Sequence, residues 1–312
     1  MFIKEEYAKT TLNDWLQYFL ENPYKKKTLI DNLLFYDNKQ SNLFGNYYEA
    51  SNLDLMLDEL LCSAKQKKPL YQTWKQEVNG KTRQLSVPNK TLRKLMENYI
   101  LDFIKRKNVH EKCHGGEKGW SVKRSLETHL PCLSALSFDL KSAFENIPFK
   151  IVYDFFYGLL PEYISYSDKE EISRFFSLLS TVRYIDKRGL PQGSPISVFM
   201  FNRCLYNLDK ELTQKSNERY LRYSRWVDDF TISSKSNKGI EYFLGVIELT
   251  NRYFEVCNEK IYFQNGDNIY LLGHKINDNL ISKNTKEDKL KNKNPPINFN
   301  DYFGENKKYE SW

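Results

Sequence analysis

The sequence predicts an α+β fold, a mixed sheet with helices packed against it. Three observations lead there: short runs rich in β-branched and aromatic residues, apolar stripes at helical spacing between them, and irregular alternation of the two along 312 residues. A chain of that length can bury one large core or two to three lobes.

Residues 1–75 read as a mostly helical extension. "TLNDWLQYFLEN" opens with a Thr/Asn/Asp cap region and sets Leu12, Trp15, Leu16 and Phe19 on one face, and "SNLDLMLDELLCSAKQ" repeats the pattern through Leu53, Met56, Leu57, Leu60 and Leu61. Both stripes suit plain core packing. From Tyr71 the runs "YQTWKQEV" and "RQLSVP" flank Asn79-Gly80, the signature of a hairpin. "NKTLRKLMENYILDFIKRK" returns to helical spacing, "LSALSFDL" reads as a buried strand, and "PFKIVYDFFYGLL" as a helix with Pro148 near its start. "RGLPQGSPISVFMFNRCLYNLDKEL" is a Gly/Pro loop entering one long helix. "LRYSRWVDDFTISS" forms a second hairpin, "GIEYFLGVIELTNRYFEVC" a helix, and "KIYFQ" and "NIYLLGHKI" short strands. From Ser282 the chain turns polar, a solvated helix or linker.

The composition narrows the class. Lys and Arg (47) exceed Asp and Glu (40), a formal net charge of +7, and 15% of residues are aromatic, which suits a polyanionic partner with bases to stack. Cys62, Cys113, Cys132, Cys204 and Cys257 are scattered, without a Cys-x-x-Cys pair, against a disulfide framework or a zinc ribbon. "VHEKCH" (His110, Cys113, His114) has metal-ligand residues but no second pair at zinc spacing. With no apolar signal core and no long apolar stretch, the expectation is a protein of a reducing cytoplasm that does not span a membrane.

The chemistry sits in "SFDLKSAFENIP" and "WVDD". Asp139 ends an apolar strand, a costly place for a carboxylate unless a partner or cation meets it. Asp228 lies at a hairpin tip; if the two strands are neighbours, their carboxylates converge. Converging anions raise each other's pKa unless a divalent cation neutralises them, and Mg²⁺ prefers such hard oxygen donors. Two such ions can activate a 3′-hydroxyl and stabilise a leaving pyrophosphate.

An ordered series of motifs resembles the reverse transcriptases: "GKTRQLSVPNKTLRKL", "HGGEKGWSVKRSLETH", "FDLKSAFENI", "GLPQGSPIS", "RWVDDF", "NEK" and "YLLGHKI", between Gly80 and Ile276. The resemblance implies a right-hand polymerase fold, with fingers at 76–132, an antiparallel palm sheet packed on helices at 133–280 and a short basic thumb-like tail at 281–312. It implies Asp139, Asp228 and Asp229 as catalytic carboxylates that bind two Mg²⁺ ions, with Mn²⁺ as a substitute, the Leu140 carbonyl as a further metal ligand and Lys260 as the proton donor to pyrophosphate. Phe144, five residues after Asp139, stands where the family has a steric gate against the 2′-hydroxyl. Gln192 and Gly193 would face the incoming dNTP, Lys81, Arg83 and Arg93 are candidates for its triphosphate, and Trp226 and Gly273 for primer and template.

The activity so implied is RNA-directed DNA synthesis, a nucleotidyltransferase making cDNA on a noncoding RNA template. The expected setting is the cytoplasm of a bacterium, in antiphage defence of the abortive-infection kind. Template-independent or protein-primed synthesis on the same palm, and a noncatalytic RNA-binding scaffold, are the rival readings. Trp226 stands where the family usually has Tyr. "SLETH" keeps only His129 of the Asn-Ala-x-x-His that retron enzymes carry, and "LLG" replaces their Val-Thr-Gly. The stretch after Ile276 is too short for a maturase or RNase H region, so an RNA, a protein partner or a second copy is expected to supply the missing grip on the duplex.

Overall fold

The structure, a computed structural model, describes residues 21–22, 24–27, 43–66, 68–78, 80–277 and 280–285. The first expected helix, but for its last two residues, and the basic tail beyond residue 285 lie outside them.

Helix α1 (Leu43–Lys65) buries Leu53, Leu57, Leu60 and Leu61, the expected stripe. Strands β1 (Tyr71–Val78) and β2 (Lys81–Pro88) form the expected hairpin, with Val78 opposite Lys81. Asn89 then caps α2 (Lys90–Leu95), its side chain accepting the Leu92 N–H at 2.9 Å. A π turn (Met96–Ile100) and α3 (Leu101–Lys105) continue it. Next come α4 (Val122–Glu127), the buried strand β3 (Ser134–Asp139) and α5 (Phe149–Leu159), which begins directly after Pro148. Helix α6 (Tyr166–Ser180), capped by Ser165, has no counterpart among the expected elements. A short hairpin, β4 (Val182–Arg183) and β5 (Arg188–Gly189), leads to the Gln192-Gly193 loop.

The one long helix expected after that loop is two, α7 (Ser197–Cys204) and α8 (Tyr206–Glu218). Leu205, at φ −87° and ψ 6°, leaves helical geometry between them with neither Gly nor Pro to mark the break. Strands β6 (Arg222–Trp226) and β7 (Asp229–Ser234) follow, then α9 (Leu244–Tyr253), a 3₁₀ turn (Asn258–Lys260) and β8 (Tyr262–Asn265). The single strand expected over "NIYLLGHKI" is also two, β9 (Asn268–Leu271) and β10 (His274–Asn277), because Leu272 and Gly273 both take positive φ and reverse the chain. An unexpected β11 (Leu280–Lys283) pairs with β10.

The principal sheet runs β6-β7-β3-β8, and each of its ladders is antiparallel. The residue pattern suggested a mixed sheet. Neither neighbour of β3 reaches it through a parallel crossover, so the antiparallel arrangement implied by the family resemblance is the one observed. Contacts divide the chain into two discontinuous units, Met1–Asn108 with Phe144–Cys204, and Val109–Ala143 with Leu205–Trp312. In the first, Phe103, Phe156 and Phe176 form an aromatic core with centroids 5.3–6.3 Å apart. In the second, Leu126, Cys132, Ala135, Ile269, Leu271 and Ile276 form a buried cluster behind the sheet. Among the described residues no helix is long and apolar enough to cross a membrane.

Candidate active site

The second unit brings the three aspartates to one end of its sheet. Asp139, 9% exposed, closes the apolar strand β3, and its cross-strand partner is Asp229, the first residue of β7. Residues paired this way project from the same face of a sheet. Asp228 is the second residue of the two-residue loop between Trp226 and Asp229. Register therefore sets Asp229, rather than Asp228, directly across from Asp139.

Burial pushes the Asp229 carboxyl up to about 6. Asp139 is paired with the Lys260 ammonium, the two side chains being 13% and 38% exposed. The Asp139 carbonyl accepts the Cys257 N–H at 2.8 Å and the Lys141 N–H donates to Glu255 O at 2.9 Å, so Leu140 faces Val256 at a non-hydrogen-bonded position of that bridge. Its carbonyl is thus directed out of the ladder. Among the described residues no group of three or more His, Cys, Asp and Glu side chains is gathered closely enough to hold a metal ion. The donors present are nonetheless hard oxygens: two facing carboxylates, a third on the adjoining loop, and the Leu140 carbonyl. That set fits a divalent cation of the magnesium type, and the ammonium on Asp139 shows the position drawing positive charge.

The nucleotide candidates belong to the first unit. Gln192 pairs with Leu85 of β2, its carbonyl accepting the Ser86 N–H at 2.7 Å. Gly193 adopts φ 113°, and a Cβ there would stand 3.0 Å from Val87, so the loop lies against β2 as only glycine permits. Phe144 stacks on Phe201 of α7 with centroids 4.9 Å apart, remains half-buried, and its carbonyl accepts the Leu190 N–H at 2.9 Å. Arg83 is exposed on β2, and Arg93 lies 3.8 Å from Glu97 on the surface of the α2 region. Lys81 opens β2, and its side chain lies outside what the structure describes. Of the primer and template candidates, Trp226 ends β6 and Gly273 sits at the tip of the β9–β10 hairpin.

Several residues that support the site carry little signal in the sequence. His129 is fully buried, with Nδ1 2.7 Å from Ser233 Oγ on β7 and Nε2 2.7 Å from Ser224 Oγ on β6, so one ring ties both strands of the aspartate hairpin. Arg225 and Asp209 form a fully buried ion pair under the same hairpin. Burial lowers the Arg225 pKa, but the neighbouring Asp209, Cys113 and Tyr223 together outweigh burial and hold it above its ordinary value. The metal-like "VHEKCH" segment serves a different end: His114 bonds Ser125 Oγ at 2.8 Å and stacks on Trp120 at 3.6 Å, and His110 meets the edge of Tyr206.

The family model described as "Reverse transcriptase (RNA-dependent DNA polymerase)" matches residues 65–276. The chain is similar to the Retron Mx162 reverse transcriptase of Myxococcus xanthus, 28% identical over 169 residues covering 50% of this chain and 33% of that protein. It is 24% identical to the Retron Ec86 reverse transcriptase of Escherichia coli over 171 residues, 55% of this chain and 50% of the other. To the Retron Se72 reverse transcriptase of Salmonella heidelberg it is 25% identical over 215 residues, 68% and 53% of the two chains. It thus spans a third to about half the length of these relatives. Among solved structures, apo telomerase from Candida tropicalis truncated from its C-terminal domain matches at 16% identity and TM-score 0.49, over 69% of this chain and 55% of that one. Telomerase from Candida albicans with a fragment of telomeric RNA matches at 13% and 0.46, over 69% and 46%. A family model that accounts for more than half of the chain, and motifs that follow in that family's order along it, make this chain a member of the reverse transcriptase family.

Proposed function

We propose that the protein is an RNA-directed DNA polymerase that copies a noncoding RNA into cDNA in the cytoplasm of a bacterium, in antiphage defence. The observation that carries the polymerase reading is Asp139 facing Asp229 across β3 and β7 with Asp228 on the loop beside them. Similarity to retron enzymes supports the RNA template. The defence role rests on the chain's resemblance to defence-associated reverse transcriptases.

In this reading the aspartates supply the chemistry and other side chains the substrate contacts. Asp139, Asp228, Asp229 and the Leu140 carbonyl would hold two Mg²⁺ ions, which would supply Lewis-acid activation of the primer hydroxyl and charge stabilisation at the leaving pyrophosphate. Lys260, paired with Asp139, would give its proton to the leaving group. Phe144 disfavours a 2′-hydroxyl, Gln192 and Gly193 meet the dNTP, and Arg83, Arg93 and Lys81 are the candidates for its phosphates. Residues 76–132 act as fingers and 133–280 as palm.

Primer extension on an RNA template with dNTPs and Mg²⁺ tests the reading. Asp228→Ala should cost several kcal/mol of transition-state stabilisation, at least about 1000-fold in rate. Unchanged incorporation by that variant would refute the assignment. Product that needs no template, or that protease releases from the protein, would establish a rival mode of synthesis on the same carboxylates.

A further inference from the structure

The loop that carries Asp228 holds a valine in a conformation that suits glycine. Val227 adopts φ 57°, where a β-branched side chain crowds its own backbone. Such a residue persists only where its surroundings over-determine it. Within the second unit, the Arg225 guanidinium donates from Nη1 to the Val227 carbonyl at 2.6 Å. It is itself fixed by a fork, Nε to Asp209 Oδ1 at 2.8 Å and Nη2 to Oδ2 at 2.6 Å, with both side chains fully buried. The Tyr223 hydroxyl donates to the same Asp209 Oδ1 at 2.6 Å. Gly115 closes the other side: a Cβ there would stand 2.5 Å from Val227 N and 2.8 Å from the Trp226 carbonyl carbon. The His114 N–H donates to the Arg225 carbonyl at 2.8 Å, and the Arg225 N–H to Lys112 O at 2.8 Å, tying that segment to β6.

We propose that Arg225, anchored by Asp209, is the positioning residue of this hairpin: it grips the Val227 carbonyl and so fixes the direction in which the loop projects Asp228. A pair that merely joined α8 to β6 would be complete with the two bonds to Asp209. The bond to the Val227 carbonyl, aimed at the one strained residue of the loop, is what such a pair leaves unexplained. Lysine cannot replace this function, because one ammonium cannot reproduce the planar fork and serve the loop carbonyl as well. The inference rests on the polymerase reading above.

The test is steady-state and single-turnover primer extension by Arg225→Lys. The expected result is a fall in kcat on the order of 100-fold, the scale set by misplacing a reacting group by an ångström. The KM for dNTP should change much less than kcat, within about threefold, since Phe144, Gln192, Gly193 and the triphosphate candidates Lys81, Arg83 and Arg93 lie on other elements. Val227→Gly, which removes the φ penalty, should restore kcat at least about tenfold in the Arg225→Lys background, read against Val227→Gly alone. A merely structural pair gives no such rescue. Wild-type kcat in Arg225→Lys, or a loss that Val227→Gly leaves untouched in a folded variant, overturns the proposal. Should Arg225→Lys lack a cooperative melt, the near-isosteric Asp209→Asn is read by the same two criteria. A wild-type protein that makes no product refutes the polymerase reading, whereas full kcat in Arg225→Lys refutes only the inference.

Discussion

The β6–β7 hairpin of the second unit is braced by side chains from outside it, while the β1–β2 hairpin of the first presents more than half of its described residues to solvent. In the former, Arg225, Ser224 and Ser233 are buried and bonded to Asp209 and His129. In the latter, Trp74 is 41% exposed and Arg83 exposed, with Tyr71 at the base donating to Leu179 O at 2.6 Å and Thr73 bonded to Ser86 at 3.0 Å. The proposed roles call for this difference. A carboxylate that shares a cation with another must be fixed to a fraction of an ångström, and that takes a supporting shell. A long basic side chain meeting a triphosphate reaches its target through its own rotatable bonds.

Breaking the buried pair tests the braced side most severely. Asp209→Leu leaves the Arg225 charge uncompensated and should cost about 3–5 kcal/mol in denaturant unfolding. Next comes His129→Gln, which loosens one or both serine hydroxyls at about 1–3 kcal/mol. His129 also sets a pH dependence. Burial pushes its ring down to about 3, against an ordinary value of 6.5, so the fold favours the neutral form. Its contribution is complete above about pH 6.5 and is lost as pH falls toward 3. His114, lowered to about 4 by burial, acts in the same direction. Melting curves between pH 7 and 4 should therefore be flatter for His129→Gln than for wild type.

On the exposed hairpin, Arg83→Ala should raise the KM for dNTP by about tenfold, the worth of one charge-assisted contact, with stability unchanged to about 0.5 kcal/mol. Smallest of all, Glu97→Gln removes a half-exposed ion pair with Arg93 and should shift stability by no more than about 0.5 kcal/mol. If Arg83→Ala destabilised the protein as much as His129→Gln, the contrast between the hairpins would not stand.

The carboxylates, both hairpins and most helices are legible in the sequence because their signals are local: a turn dipeptide, a cap, a stripe, a motif a few residues long. The bracing residues give no such signal. Asp209 sits in "YNLDKEL", which reads as the solvated face of a helix, and only its approach to Arg225 makes it a buried anion. His129 is one letter of a motif that otherwise departs from the retron pattern, and its bonds reach Ser224 and Ser233, far along the chain. The break at Leu205 is likewise unannounced, with neither Gly nor Pro to mark it. Helix α6 is a different case, because its Ser165 cap and its stripe through Ile172, Phe175, Phe176 and Leu179 are all present in the sequence.

The position of β3 has a consequence in time. Its partners β7 and β8 are both made long after it, and Asp139 meets Asp229 only when β7 has left the ribosome. Pairings this remote in sequence form slowly, because the intervening chain must first be closed into a loop. A nascent or truncated chain ending before Asp228 therefore carries Asp139 without the carboxylates that meet it in the finished sheet.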